Sequence, residues 1–421
     1  MNERSVSVNG ISIYSLTNPN LRSFCLSLYV RAGSIFEDLS NNGISHLFEH
    51  VVFRNIKNKY ENFYELLAMH GLCFQGSTYK KFVSFTIDGP QHEFDFAIEI
   101  LCGLFDEIKL TSHDFNNEKG RIKAEIREKD RRSSLDFYFD SIVWKNSEVE
   151  KIVLGYCKTI DRVSVKKINE FRQKVLSAGN CFVYATGNIS DENLDALNKK
   201  ISELDISQSN PGFTNTVTVN NEFFHREKKI WIKNNYWHYI QIGFDVDCSK
   251  YPGGVYDLLY ALLFNGDKAL VYNYLSEDNP IIYSYDSTFE QYDNVGNINF
   301  SFEVDRNKIE DVFKTVVELL NAAKDGRFNF EANLNYEMFN WELDLDKPSN
   351  LNWNMAYYNH ILKTEPIDYS DEFYGRFRVT KKQVTDAAKD IFRRCNMTVA
   401  MMGNKKKINT DAIEKILESL D

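Results

Sequence analysis

The chain has 421 residues, of which 43% are apolar, 14% aromatic and 26% charged, and its formal net charge is −10. That length calls for two domains rather than one core, the apolar content excludes a disordered chain, and the acidic balance argues against a nucleic-acid backbone as partner. The seven cysteines are scattered, odd in number and form no CxxC pair, and no basic-then-apolar N-terminal segment or run of about 18 apolar residues occurs, so the expectation is a cytoplasmic protein with reduced thiols and no membrane insertion.

Along the chain, "FCLSLYVRAG" (24–33) reads as a strand, and "GISHLFEHVVF" (43–53) as a helix. Helical spacing sets His46 and His50 one turn apart on one face, where both imidazoles can reach one metal ion. Glu49, on a neighbouring part of the turn, approaches the ion's open position, which suits a carboxylate that takes a proton from water. Catalytic zinc usually carries three protein ligands, so a third is expected from elsewhere.

Further on, "VSFTIDG" (83–89) is strand-like and "EFDFAIEILCGLFDEI" (93–108) has a helical apolar face. The charged segment "NNEKGRIKAEIREKDRR" (116–132) should also be helical, and Glu118 and Glu125, seven apart, then share one face. One of the two can bind the metal while the other sits further out, holding a histidine or a substrate amine.

"RVSVKKINEFRQKVLSAGNCFVYATGN" (162–188) lies ungapped over "RVTKKQVTDAAKDIFRRCNMTVAMMGN" (378–404), an offset of 216. In each copy a Ser or Thr caps a helical pattern, an Asn breaks it, and an apolar β-rich run ends in Gly-Asn, which implies a duplicated domain. The join falls in "ISQSNPGFTNTVTVNN" (206–221), giving an N-terminal domain 1–206, a linker 207–221 and a C-terminal domain 222–421. "YIQIGFDVD" and "INFSFEVD" read as strands and "KIEDVFKTVVELLNAA" as a helix, so the fold class is α+β: two related halves, each a mixed sheet with helices packed on it. "NWELDLDKPSNLNWNMAYYNHI" (340–361) is expected to be packed helix, Lys405–Lys407 a solvated turn, and the remaining six histidines surface or packed residues.

The residues resemble the insulinase and pitrilysin family of zinc peptidases, whose signature is the inverted HxxEH motif. The spacing carries the resemblance: 74 residues lie between His50 and Glu125, and Glu118 stands seven positions before Glu125. The resemblance implies His46, His50 and Glu125 as ligands of one zinc ion, Glu49 as general base, and Glu118 as the catalytic-site carboxylate behind them. It further implies a clamshell of two halves with the motif only in the first, and a substrate that adds as a strand beside "HGLCFQGSTYKKFVSFTI", with Phe74, Gln75 and Gly76 as the rail. Where the family has Asn-Ala, this chain has Gln75-Gly76.

Family members also use an Arg and a Tyr seven residues apart; "NYLSEDNPIIYSY" keeps Tyr283 but has Ser276 at the Arg position, and Ser replaces neither the charge nor the reach of a guanidinium. That departure implies a catalytic subunit paired with a second, non-identical family chain that supplies the Arg/Tyr pair. The expected function is therefore zinc endopeptidase action on short or unfolded peptides, with removal of leader segments from ribosomally made precursors as one use. The alternative is a non-catalytic scaffold or peptide-holding subunit.

Overall fold

A computed structural model describes residues 3–128, 134–213, 221–224, 227–362 and 378–420, the side chains of 221 and 222 excepted. The chain divides into two compact units, one built from Met1–Lys129, Glu148–Asn215 and Glu342–Asp371, the other from Asp130–Ser147, Thr216–Trp341 and Glu372–Asp421. The passage from Asn215 to Thr216 falls within the expected linker, of which 214–220 lies outside the described residues.

The first unit's sheet has six strands, β1 (Arg4–Val8), β2 (Ile11–Thr17), β3 (Ser23–Val30), β4 (Cys73–Thr78), β5 (Val83–Pro90) and β6 (Cys181–Gly187), in the order β1-β2-β6-β3-β5-β4. The second unit's sheet has β7 (Ile230–Asn234), β8 (Tyr239–Asp247), β9 (Asp286–Tyr292), β10 (Val295–Glu303) and β11 (Met397–Gly403), in the order β7-β11-β8-β10-β9. Each sheet has one parallel pair, β2/β6 and β7/β11, and is otherwise antiparallel. The second sheet thus repeats the first without β1.

The repeat holds in register and in detail. The helices Val165–Val175 and Lys381–Ile391 and the strands β6 and β11 are each separated by the offset read from the sequence. Ser164 and Thr380 cap their helices by accepting from the Lys167 and Gln383 N–H groups. Asn180 donates to Val175 O at 2.7 Å and to Arg31 O at 2.9 Å, while Asn396 donates to Ile391 O at 2.9 Å and to Asp245 O at 2.8 Å. The same amide therefore closes the helix and pins the strand entry in both halves.

Alternation along the central strands separates two faces. Phe24, Leu26, Leu28 and Val30 of β3 enter one apolar core, and Ile240, Ile242, Phe244 and Val246 of β8 enter a second. The opposite face is polar yet buried in both units, because each is covered by a helix that belongs to the other half in sequence. The helix Leu135–Val143 packs on β8 and β11, with Phe139 so close to Gly243 that a Cβ there would stand 2.4 Å from its ring. Its counterpart Pro348–Met355 packs on β3 and β6. A single cut at the linker does not describe this exchange, since both helices are contiguous in sequence with the half they leave.

Asn352 shows why the exchanged helix stays in place: its Oδ1 accepts from the Tyr29 hydroxyl at 2.9 Å, and its Nδ2 donates to Tyr184 O at 2.9 Å and Cys25 O at 3.3 Å, with the residue wholly buried. Asn352→Leu leaves the buried Tyr29 hydroxyl without its acceptor and is expected to cost about 1–3 kcal/mol. Chemical denaturation would show a lower midpoint for the variant; an unchanged midpoint would contradict this role.

Candidate metal centre

The helix Ile44–Lys57 carries the HxxEH motif and buries Leu47, Phe48, Val51, Val52 and Ile56 in the first core. It begins after Gly43, whose φ of 95° is a left-handed conformation that favours glycine. The first N–H groups of a helix lack internal partners and carry partial positive charge, and here a buried carboxylate meets them. Glu37 Oε2 accepts from the Gly43 N–H at 2.7 Å and the Asn42 amide at 2.8 Å, and Oε1 accepts from the Ser45 N–H at 2.8 Å. Burial pushes the Glu37 carboxyl above the ordinary range in spite of these hydrogen bonds. Sequence reasoning missed this residue; its only signal is an acidic side chain six positions before the helix-opening glycine.

The second element is the helix Ser112–Glu128, which packs on the first. His46 Nε2 and His50 Nε2 stand 3.2 Å apart and His46 Nε2 lies 3.6 Å from Glu125 Oε2. The three ligand atoms lie within 4.8 Å of one another, the one such His/Cys/Asp/Glu group found among the described residues. Two donors about 2.0–2.1 Å from a tetrahedral zinc stand roughly 3.3 Å apart, so this donor set and spacing fit the ion. His46 is 6% exposed, which keeps one side of the centre dry.

Glu118 is 2% exposed and does not join that group. One oxygen lies 2.9 Å from Arg54 Nε in an ion pair, and the other lies 3.5 Å from both His50 Nδ1 and Arg121 Nη1. Burial raises its carboxyl, but the His50 hydrogen bond and the Arg121 and Arg54 charges outweigh it and hold the carboxyl below the ordinary range. An anion behind His50 Nδ1 orients the ring so that Nε2 faces the centre.

Glu49 Oε2 accepts from the Thr78 hydroxyl of β4 at 2.8 Å. Burial lifts its carboxyl above the ordinary range against the pull of Thr78 and His50, with Glu125 adding to the rise. Its other oxygen lies beside Gly76, where an added Cβ would stand 2.8 Å away. The small residue therefore makes room for Glu49 itself. Thr78 is a second residue that sequence reasoning missed.

β4 is an edge strand of its sheet, as a rail requires. Gln75 is exposed, its amide 3.2 Å from Cys73 Sγ. Phe74 lies on the same edge strand with its side chain turned inward, 7% exposed and stacked on Phe53 at 4.3 Å, which leaves its backbone at the sheet edge. Period-two alternation sends the Phe inward and the Gln outward.

Tyr283 belongs to the second unit and is 97% exposed. It lines a cavity of about 780 Å³ with Tyr236, Trp237, His238 and Arg306, so a guanidinium does line it, from the end of β10. Ser276 lies in the single wide turn Asn273–Glu277.

Glu37→Gln removes the charge that meets the motif helix. The expected result, by competition with a chromophoric chelator, is zinc affinity reduced roughly tenfold, as for other ligand-supporting groups. Affinity equal to the parent protein would show that Glu37 has no part in presenting the histidines.

The family model described as Insulinase (Peptidase family M16) matches residues 13–155, and that described as Peptidase M16 inactive domain matches residues 162–332. The Bacillus subtilis protein named uncharacterized zinc protease YmxG is 21% identical over 332 residues, covering 77% of this chain and 79% of that one. The beta subunit of the Saccharomyces cerevisiae mitochondrial-processing peptidase is 24% identical over 190 residues, 44% of this chain and 41% of that one. Among solved structures, a protease from Helicobacter pylori superimposes with a TM-score of 0.82 at 18% identity, covering 95% of this chain and 99% of that one, which speaks to the fold. Two related α+β halves, the HxxEH helix in the first and matches over both halves lead to one family. The chain belongs to the insulinase (M16) peptidase family.

Proposed function

We propose that this chain is a zinc endopeptidase that cleaves short or unfolded peptides held along β4. The observation that carries the reading is the convergence of His46 Nε2, His50 Nε2 and Glu125 Oε2, with Glu49 poised between that group and the edge strand. His46, His50 and Glu125 would hold the zinc, which when bound polarises a carbonyl and acidifies water.

The protein's own groups do the rest. A peptide laid antiparallel or parallel to β4 exchanges backbone hydrogen bonds with Gln75 and Gly76, which gives affinity independent of its side chains. Thr78 holds one oxygen of Glu49 and leaves the other beside the rail. Glu49 then takes a proton from the attacking water and delivers it to the leaving amine. A carboxyl raised by burial suits both halves of that transfer.

Ser276 in place of Arg supports a second, non-identical family chain as partner, and several relatives are named as subunits of a processing peptidase. Seven unpaired cysteines support a reducing, cytoplasmic setting, and no helix among the described residues is long and apolar enough to cross a membrane. Removal of leader segments from precursor peptides is the use we favour.

The test is cleavage of an unstructured peptide, with zinc supplied, by the parent chain, Glu49→Gln and Thr78→Val. Loss by about a hundredfold or more is expected for Glu49→Gln, with zinc retained, and a partial loss for Thr78→Val. Equal rates in all three, or no cleavage by the parent in the presence of its partner chain, would favour the peptide-holding alternative.

A further inference from the structure

A cleft of about 370 Å³ runs from Glu49 and His50 along the end of the motif helix. Its walls carry three cations: Arg54 and Lys57 from the motif helix and Arg121 from the charged helix. Arg54 is already committed, ion-paired with Glu118 at 2.9 Å and lying 3.8 Å from Asp114. The other two are not. Lys57 has no ion pair among the described residues, and its ammonium rests over the Tyr64 ring at 4.6 Å. Arg121, its side chain 60% exposed, lies 3.5 Å from a Glu118 that Arg54 holds more closely.

Two cations from separate helices thus face one cleft in a chain whose net charge is −10. A favourable helix-dipole position accounts for Lys57 at a helix C-terminus but not for Arg121, which sits within the first two-thirds of another helix. Tyr64, 55% exposed, adds an apolar wall on which the stem of a bound side chain can lie.

We propose that this cleft selects substrates carrying a carboxylate beside the bond to be cut, either an Asp or Glu side chain or the peptide's own C-terminus. The inference rests on the peptidase reading above for what occupies the cleft, and on Lys57, Arg121 and Tyr64 for its preference. Backbone pairing along β4 accepts any sequence; Lys57 and Arg121 add the discrimination that the rail lacks.

Binding separates the inference from the reading. Zinc-loaded Glu49→Gln protein would be titrated, by fluorescence anisotropy, with labelled peptides that differ only in Glu, Gln or Lys at one central position, each with a free or an amidated C-terminus. The expected result is a preference of roughly tenfold for Glu over Lys, shrinking in high salt and inverting when Lys57→Glu and Arg121→Glu are added. Preference for the free over the amidated C-terminus alone would assign the carboxylate to the chain end. Equal binding of all peptides, tighter binding of Lys, or a Glu preference unmoved by the double reversal would overturn the inference. The parent chain's action on the same peptides tests the reading by itself: cleavage without charge preference removes the inference alone, and charge-selective binding without cleavage removes the peptidase reading alone.

Discussion

The centre depends on a buried ion pair between two helices far apart in sequence. Arg54 and Glu118, with side chains 15% and 3% exposed, tie the helix that carries both histidines to the helix that carries Glu125. Neither ion is stable alone at that depth; removing one leaves the other as an unmatched buried charge, a cost of several kcal/mol. With both present, the register between the helices is set to the precision that a metal site requires. Glu125 lies two turns beyond Glu118 on the same face, so fixing one carboxylate by Arg54 carries the other to the histidines. Glu118 also faces His50 Nδ1, which couples the lock to the orientation of a ligand.

The second half shows the same scaffold without the chemistry. Its counterpart of the charged helix, Phe330–Asp344, ends at the position the repeat dictates, but Leu334 and Trp341 stand where Glu118 and Glu125 stand in the first half. Leu334 packs against the second core. Sheet order, helix caps and the Asn180/Asn396 contacts survive because they serve folding, whereas the ligands have no role in holding the sheet together. The fold and the site are therefore separable, and only the first half's helices bring ionisable groups into one metal-sized group among the described residues.

Much of this was legible in the residues. The segments read as helical, 43–53 and 116–132, fall on the helices Ile44–Lys57 and Ser112–Glu128 as far as they are described, and self-alignment placed the duplication with its register. Spacing left Glu118 and Glu125 as equivalent candidates; the family resemblance chose Glu125, and its distance to His46 agrees. The exchanged helices were not legible, because an amphipathic pattern tells which face is buried but not which sheet buries it. Thr78 was missed for a related reason, since its partner Glu49 is set by tertiary approach, whereas Glu37 was missed because a turn must bring it back onto the start of the helix six residues later. Phe74 was placed on a backbone rail by the family resemblance, and its apolar character and strand alternation direct the side chain inward, onto Phe53.

If the two helices form one metal site, both must contribute to holding the ion. The most direct measurement is elemental analysis of the purified chain beside Glu125→Gln. The parent should hold about one zinc per chain, and the variant much less, since a three-ligand site loses a third of its protein donors. Zinc absent from the parent after metal addition, or retained equally by Glu125→Gln, would contradict the convergence of His46, His50 and Glu125 on a single ion.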